Sequence, residues 1–133
     1  MPPARIVVTA AVIEEGDRIL VTRRPRGVHL AGLWEFPGGK CDHAEPLTRC
    51  LEREILEELG TACRIGPELF TVSHQYPGRT VELHFFACTL DGQPRPLLNQ
   101  EMRWVPRAEL AMLEFPAADA ALIEALGRGE LGR

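Results

Sequence analysis

The chain predicts an α/β fold, an α/β/α sandwich in which a mixed β-sheet lies between two helices. Runs rich in β-branched and alternating apolar residues read as strands on both sides of a mid-chain helix, and an Ala-rich helix closes the chain. With 133 residues, 45% apolar and 26% charged, residues 1–133 fit one domain around one core.

Arg5 to Ile13 is rich in β-branched residues and ends in Glu14-Glu15-Gly16-Asp17, a turn before a second strand at Arg18 to Thr22. Together they make a hairpin. The loop Arg23-Arg24-Pro25-Arg26-Gly27 follows, with three cations whose guanidinium forks suit phosphate; a merely solvated loop is the alternative. Leu33 to Pro37 is extended and delivers the chain to Gly38-Gly39. Paired glycines let backbone approach a ligand and expose a carbonyl, or simply make a turn, while Lys40 offers a point charge to phosphate.

A helix is expected from about Pro46 to Leu59, since proline suits a first helical turn and Gly60 suits the left-handed position after the last. At about 100° per residue, Glu54, Glu57 and Glu58 share an arc of roughly 100°. Leu47, Cys50 and Leu51 lie along the same stripe, so the acids continue an apolar face where a solvated acidic face would oppose it. Like charges held partly away from water need a compensating cation, and oxygen ligands suit Mg²⁺ or Mn²⁺. Arg53 either orients one of these carboxylates or is a plain surface residue.

Cys63 to Gln75 and Thr80 to Leu90 read as a second hairpin, joined by Tyr76-Pro77-Gly78-Arg79. Val81, Leu83 and Phe85 make one face apolar, and His74 and His84 could be ligands or bases, though a histidine on a strand is more often a satisfied structural residue. A loop from Asp91 to Pro96 leads to a short strand, Glu101 to Pro106. Phe115-Pro116 then enters a helix from about Ala117 to Leu126, stopped by Gly127. Asp119 falls in its first turn, where favouring the helix dipole and touching a ligand are equally open.

A net charge of −4 gives no basic footprint for polymeric nucleic acid, so the ligand expected is a small anion met by local cations and metal. The four cysteines show no CxxC pair and no zinc spacing, and read as reduced thiols. Neither a membrane span nor a signal-peptide pattern is present, which makes a cytoplasmic protein the expectation. Monomer and homodimer are both open.

Gly39, five residues, Glu45, seven residues and Arg53-Glu54-Ile55-Leu56-Glu57-Glu58-Leu59-Gly60 resemble the Nudix hydrolase box, GX5EX7REUXEEXGU, over residues 39–61. Thr61 departs, where an aliphatic residue is usual. The likeness continues in TRRPRGVHLAGLWEFPGGK, SHQYPGR, RWV and FPAAD, which resemble the MutT branch and its pyrimidine nucleoside triphosphate relatives. It implies the Nudix fold, with the box as a loop, helix and loop on the sheet. It implies cleavage of a nucleoside triphosphate to monophosphate and diphosphate, in nucleotide-pool sanitation; another nucleoside diphosphate–X substrate and a catalytically silent nucleotide-binding module are the alternatives.

The resemblance further implies that Glu54, Glu57, Glu58 and the Gly38 carbonyl hold the metal, one glutamate also serving as base. Glu45 would brace the loop and Arg53 orient the acids. Arg24 would meet phosphate or base, and the Phe36 backbone, Arg79 and Asp119 would line a base pocket, with Tyr76 and Leu83 as apolar wall. Two positions depart from the pattern. Leu98 stands where MutT-like enzymes carry a further metal-binding carboxylate, leaving Glu101 as a weak substitute, three residues away and so on the other strand face. Asp119 stands where MutT has asparagine; a carboxylate only accepts, which favours bases bearing an exocyclic amine.

Overall fold

The structure, a computed structural model, describes residues 4–23, 25 and 32–131. Arg24 and Arg26 of the cationic loop lie outside the described residues. In chain order come β1 (Ala4–Glu15), β2 (Arg18–Arg23), β3 (Trp34–Glu35), β4 (Gly38–Lys40), α1 (Leu47–Leu59), β5 (Cys63–Tyr76), β6 (Arg79–Leu90) and β7 (Glu101–Pro106). Short 3₁₀ turns at Arg107–Met112 and Ala117–Asp119 precede α2 (Ala120–Gly127).

β1 is the axis of the sheet. It runs parallel to β6 from Ala4↔Arg79 to Ile13↔Cys88 and antiparallel to β4, with Thr9 opposite Gly39. Its hairpin with β2 is paired at Glu14↔Ile19 and Glu15↔Arg18; β2 also pairs with β7 from Arg18 to Arg23 and with β3 at Thr22 and Arg23. One parallel pair among antiparallel ones makes the sheet mixed, and the parallel pair requires the crossover that β4, α1 and β5 supply.

Alternation along the strands sorts the core into two layers. Ala11, Ile13, Leu20 and Phe86 face Leu51, Ile55 and Leu59 of α1. Ala10, Val12, Ile19, Val21 and Phe85 face the other way, onto Leu122, Ile123 and Leu126 of α2. Helices therefore cover both faces, and each fully buried Leu or Ile contributes about 1.5–3 kcal/mol. Among the described residues no helix is long and apolar enough to cross a membrane.

α1 begins directly after Pro46 and ends at Gly60, whose φ of 69° lets its N–H reach the Leu56 carbonyl at 3.0 Å. The terminal helix is shorter than expected, because Ala117–Asp119 forms a 3₁₀ turn before α2. β3 and β4 span two and three residues, too short for any periodicity to register. The reading of four reduced thiols is corrected: Cys41 and Cys50 form a disulfide with Cα atoms 5.3 Å apart, while Cys63 and Cys88 are free and buried. The fold brings the end of β4 onto the buried face of α1, a proximity that spacing along the chain does not encode.

Candidate active site

The two glycines of β4 are required by what lies against them. A Cβ on Gly39 would fall 2.5 Å from the Glu54 carboxyl carbon, so this carboxylate occupies the space a side chain would fill. A Cβ on Gly38 would fall 2.0 Å from the Thr9 carbonyl oxygen, and its φ of 152° is one that side-chain-bearing residues avoid. The Gly38 N–H donates to Glu58 Oε2 at 3.0 Å. Glu54 and Glu58 are thus drawn onto β4 from α1. Glu57, with its side chain 56% exposed, turns toward solvent, so two of the three acids border the buried stripe of Cys50, Leu51, Ile55 and Leu59 and the third stands off it.

Arg53 binds the acids together. Its Nε and Nη2 form a fork onto Glu45 at 3.0 and 2.9 Å, and its Nη1 reaches Glu54 at 3.0 Å and Glu57 at 3.5 Å. Nη2 also donates to the Lys40 carbonyl at 3.3 Å. Glu45 accepts the Asp42 N–H as well, at 2.9 Å. Hydrogen bonds from Arg53 and then from Asp42 hold the Glu45 carboxyl down at about 2, and Glu45 in turn raises Arg53 above its ordinary range. Burial pushes Glu54 up, against the hydrogen bond and charge of Arg53, with Glu57 and Glu45 adding to the rise. A carboxylate that is desolvated and beside other acids is stabilised by a cation, and the donor set here is all oxygen, which fits a hard divalent ion.

Beyond β4 lies a cavity of about 290 Å³, lined by Gly38 and Gly39 at one side and by Phe36, Tyr76, Leu83 and Asp119 elsewhere. Phe36 stacks on Phe115 at 5.3 Å and meets Phe85 edge-on at 5.8 Å, which fixes the apolar wall. Asp119 is 6% exposed; burial and then the charge of Glu35 push its carboxyl up to about 7. Lys40 also lines the cavity.

The remaining candidates are placed elsewhere. Arg79 lies outside the cavity lining, with its guanidinium 5.4 Å from the Tyr76 ring centre. Glu101 is engaged by Arg23 and by Arg103, whose guanidinium is 3.7 Å away, and both arginines cover Trp34. Met102 and Trp104 of β7 pack toward α1, so alternation puts Glu101 on the opposite face from the helix that bears the acids. Leu98 is 56% exposed. His84 lies between Glu68 and Glu82, each at 2.7 Å. Among the described residues, Cys41, Glu45 and Cys50 bring three donor atoms within 4.8 Å, but the sulfurs are bonded to each other and Glu45 is held by Arg53.

Sequence reasoning missed Glu35 and Pro116 in the cavity lining. The available signal for Glu35 was a carboxylate directly before Phe36 in an extended segment.

A family model described as NUDIX domain matches residues 8–125. The chain is 34% identical over 121 residues to CTP pyrophosphohydrolase of Escherichia coli (strain K12), covering 90% of each. It is 37% identical over 93 residues to 8-oxo-dGTP diphosphatase of Proteus vulgaris, covering 67% of this chain and 80% of that protein. Among solved structures, the E. coli ORF135 protein superposes with a TM-score of 0.83 at 33% identity, over 92% of this chain and 89% of that one. The MutT NUDIX hydrolase from Burkholderia pseudomallei gives 0.77 at 31% identity, over 90% and 96%.

The Glu45 geometry sets an acid-side prediction. A carboxyl held near 2 in the fold, against an ordinary 4.5, contributes stability above pH 4.5 that is lost as pH falls toward 2. Urea unfolding of the wild type at stepped pH is expected to show this loss, and Glu45→Gln to lack that component while being less stable at neutral pH.

Proposed function

The chain belongs to the NUDIX domain family and is a Nudix hydrolase, and on that premise we propose that it cleaves nucleoside triphosphates to the monophosphate and diphosphate, acting on oxidised or pyrimidine (deoxy)nucleotides in nucleotide-pool sanitation. Nudix hydrolases generally need a divalent metal, usually Mg²⁺. The observation that carries the reading is the carboxylate of Glu54 seated on Gly39, held by Arg53, with a base-sized cavity beginning on the other side of the same glycines.

Glu54, Glu57, Glu58 and the Gly38 carbonyl are the groups that would hold Mg²⁺, with Mn²⁺ an acceptable substitute on the same oxygen donors. When bound, that ion neutralises phosphoryl oxygens and acidifies water. The chain supplies the rest. Arg53 fixes the directions of Glu54 and Glu57, and Glu45 fixes Arg53. One glutamate takes the proton of the attacking water. Lys40, in the cavity lining, meets phosphate, Arg24 meets phosphate or base, and Arg79 caps the nucleotide from beyond Tyr76. Phe36, Tyr76 and Leu83 exclude water from the base, whose edge Asp119 reads.

Asp119 gives the site two hydrogen-bonding states. Below about pH 7 it is protonated and donates; above, it only accepts and selects an exocyclic amine or a ring N–H. That tilt agrees with cytosine-type substrates, and the E. coli relative bears the name CTP pyrophosphohydrolase.

Glu57→Gln is expected to lower Mg²⁺-dependent diphosphate release by roughly 10²- to 10⁴-fold, the range of a lost acid–base group, with the circular dichroism spectrum unchanged. Wild-type turnover in that variant contradicts the reading. Across pH 6 to 8, the turnover ratio of CTP to 8-oxo-dGTP should change in the wild type as Asp119 ionises and stay flat in Asp119→Asn. A ratio that moves identically in both removes Asp119 from base selection.

A further inference from the structure

The bonded cysteines beneath the box play no part in hydrolysis as described, yet they sit where they can govern it. Cys41 directly follows Gly38, Gly39 and Lys40, and Cys50 lies on the buried face of α1, four residues ahead of Glu54. Their bond closes residues 42–49, the segment that carries Glu45, and fastens β4 to α1 under the carboxylates. Thr9 Oγ1, fully buried, lies 3.2 Å from Cys50 Sγ and 3.8 Å from Cys41 Sγ. We infer that Cys41 and Cys50 are a reversible dithiol–disulfide couple that controls the activity of the box, the disulfide state being the active one. The inference rests on the proposed hydrolysis for its activity readout, though not for its structural one.

Access gives the exchange an order. Both cysteines are largely buried, but Cys50 is 0% exposed whereas Cys41, 9% exposed, lines a groove together with Lys40, His43 and Leu47. An external thiolate attacks Cys41 Sγ, forms a mixed disulfide there and expels Cys50 as a thiolate, which takes up a proton. A second external thiolate attacks the small-molecule sulfur of that mixed disulfide and releases Cys41, which is protonated in turn. The protein gains two electrons and two protons, and two small thiols become one small disulfide. In the oxidising direction glutathione disulfide is the oxidant: Cys41 is captured first, and Cys50 closes the bond while releasing glutathione.

Glu45 lies within 4.8 Å of both sulfurs, but Arg53 and the Asp42 N–H already occupy its oxygens, so the pair is placed for bond exchange and not as two thirds of a metal site. Breaking the bond leaves residues 42–49 held by noncovalent contacts such as Glu45 to Arg53 and the Cys41 N–H to the Val7 carbonyl. Glu54 must stay seated on Gly39 for the acids to keep their arrangement, and a displacement of about 1 Å in such a group costs up to about 10²-fold in rate.

The test equilibrates the full chain in dithiothreitol or in glutathione disulfide, then counts thiols in denaturant and maps the bonded peptides. Diphosphate release from CTP and 8-oxo-dGTP and hydrogen exchange in residues 42–49 are measured in both states. Expected are four thiols reduced and two oxidised, a Cys41–Cys50 peptide in the oxidised state, and faster exchange in 42–49 on reduction. The turnover number falls by about tenfold or more on reduction and recovers on oxidation. A Cys41→Val, Cys50→Val double variant shows no redox response, and Cys63→Ala keeps it. Cys41 and Cys50 remaining unbonded in glutathione disulfide, or two verified states with equal turnover, overturns the inference. If neither state releases diphosphate from any nucleotide, the hydrolytic reading fails, and the exchange comparison decides the couple by itself.

Discussion

The guanidinium of Arg53 is the group on which the geometry of the site depends. Four carboxylates on or beside α1 would repel one another, and Arg53 meets three of them at 3.5 Å or less while also holding the carbonyl of Lys40 on β4. With the Arg53 side chain in partial contact with water, screening keeps each of these pairs weak on its own. Their value lies in direction: a rigid fork on Glu45 points the remaining nitrogen at Glu54, a task lysine could not perform. The fourth acid, Glu58, is oriented by the Gly38 N–H instead.

The sheet turns this local order into a site with two compartments. β1 carries both core layers, one toward α1 and one toward α2, and β4 lies beside it at Thr9 and Ala10. The acids therefore approach Gly38 and Gly39 from the α1 layer, while the aromatic cavity with Asp119 opens from the α2 layer. A nucleotide spanning these glycines would have its base on one side and its phosphates on the other. The absence of side chains on two consecutive residues is what lets the compartments meet.

Much of this was legible in the residues. Pro46 and Gly60 bracketed α1, the limits of β7 were read as they stand, and Glu45, Arg53 and Glu54 were associated through the box pattern. What failed to show was set by tertiary proximity. The Cys41–Cys50 bond depends on the packing of β4 against α1, which no spacing rule reports. On a helical wheel Glu57 shares an arc with Glu54 and Glu58, but β4 covers those two and leaves Glu57 in solvent. Asp119 read equally as a helix-dipole residue, because its burial and the nearby charge of Glu35 on β3 come from packing between segments far apart in the chain. Glu101 was legible only as a nearby acid; its capture by Arg23 and Arg103 follows from the β2–β7 register.

The acids of α1, and not Glu101, are the proposed cradle for a divalent ion. Titrating Mn²⁺ into nucleotide-free protein, with the free ion followed by electron paramagnetic resonance, tests it directly. Saturable binding is predicted in the wild type and in Glu101→Gln, weakened by about tenfold or more in Glu54→Gln. Undiminished binding in Glu54→Gln, or its loss in Glu101→Gln, would contradict the account.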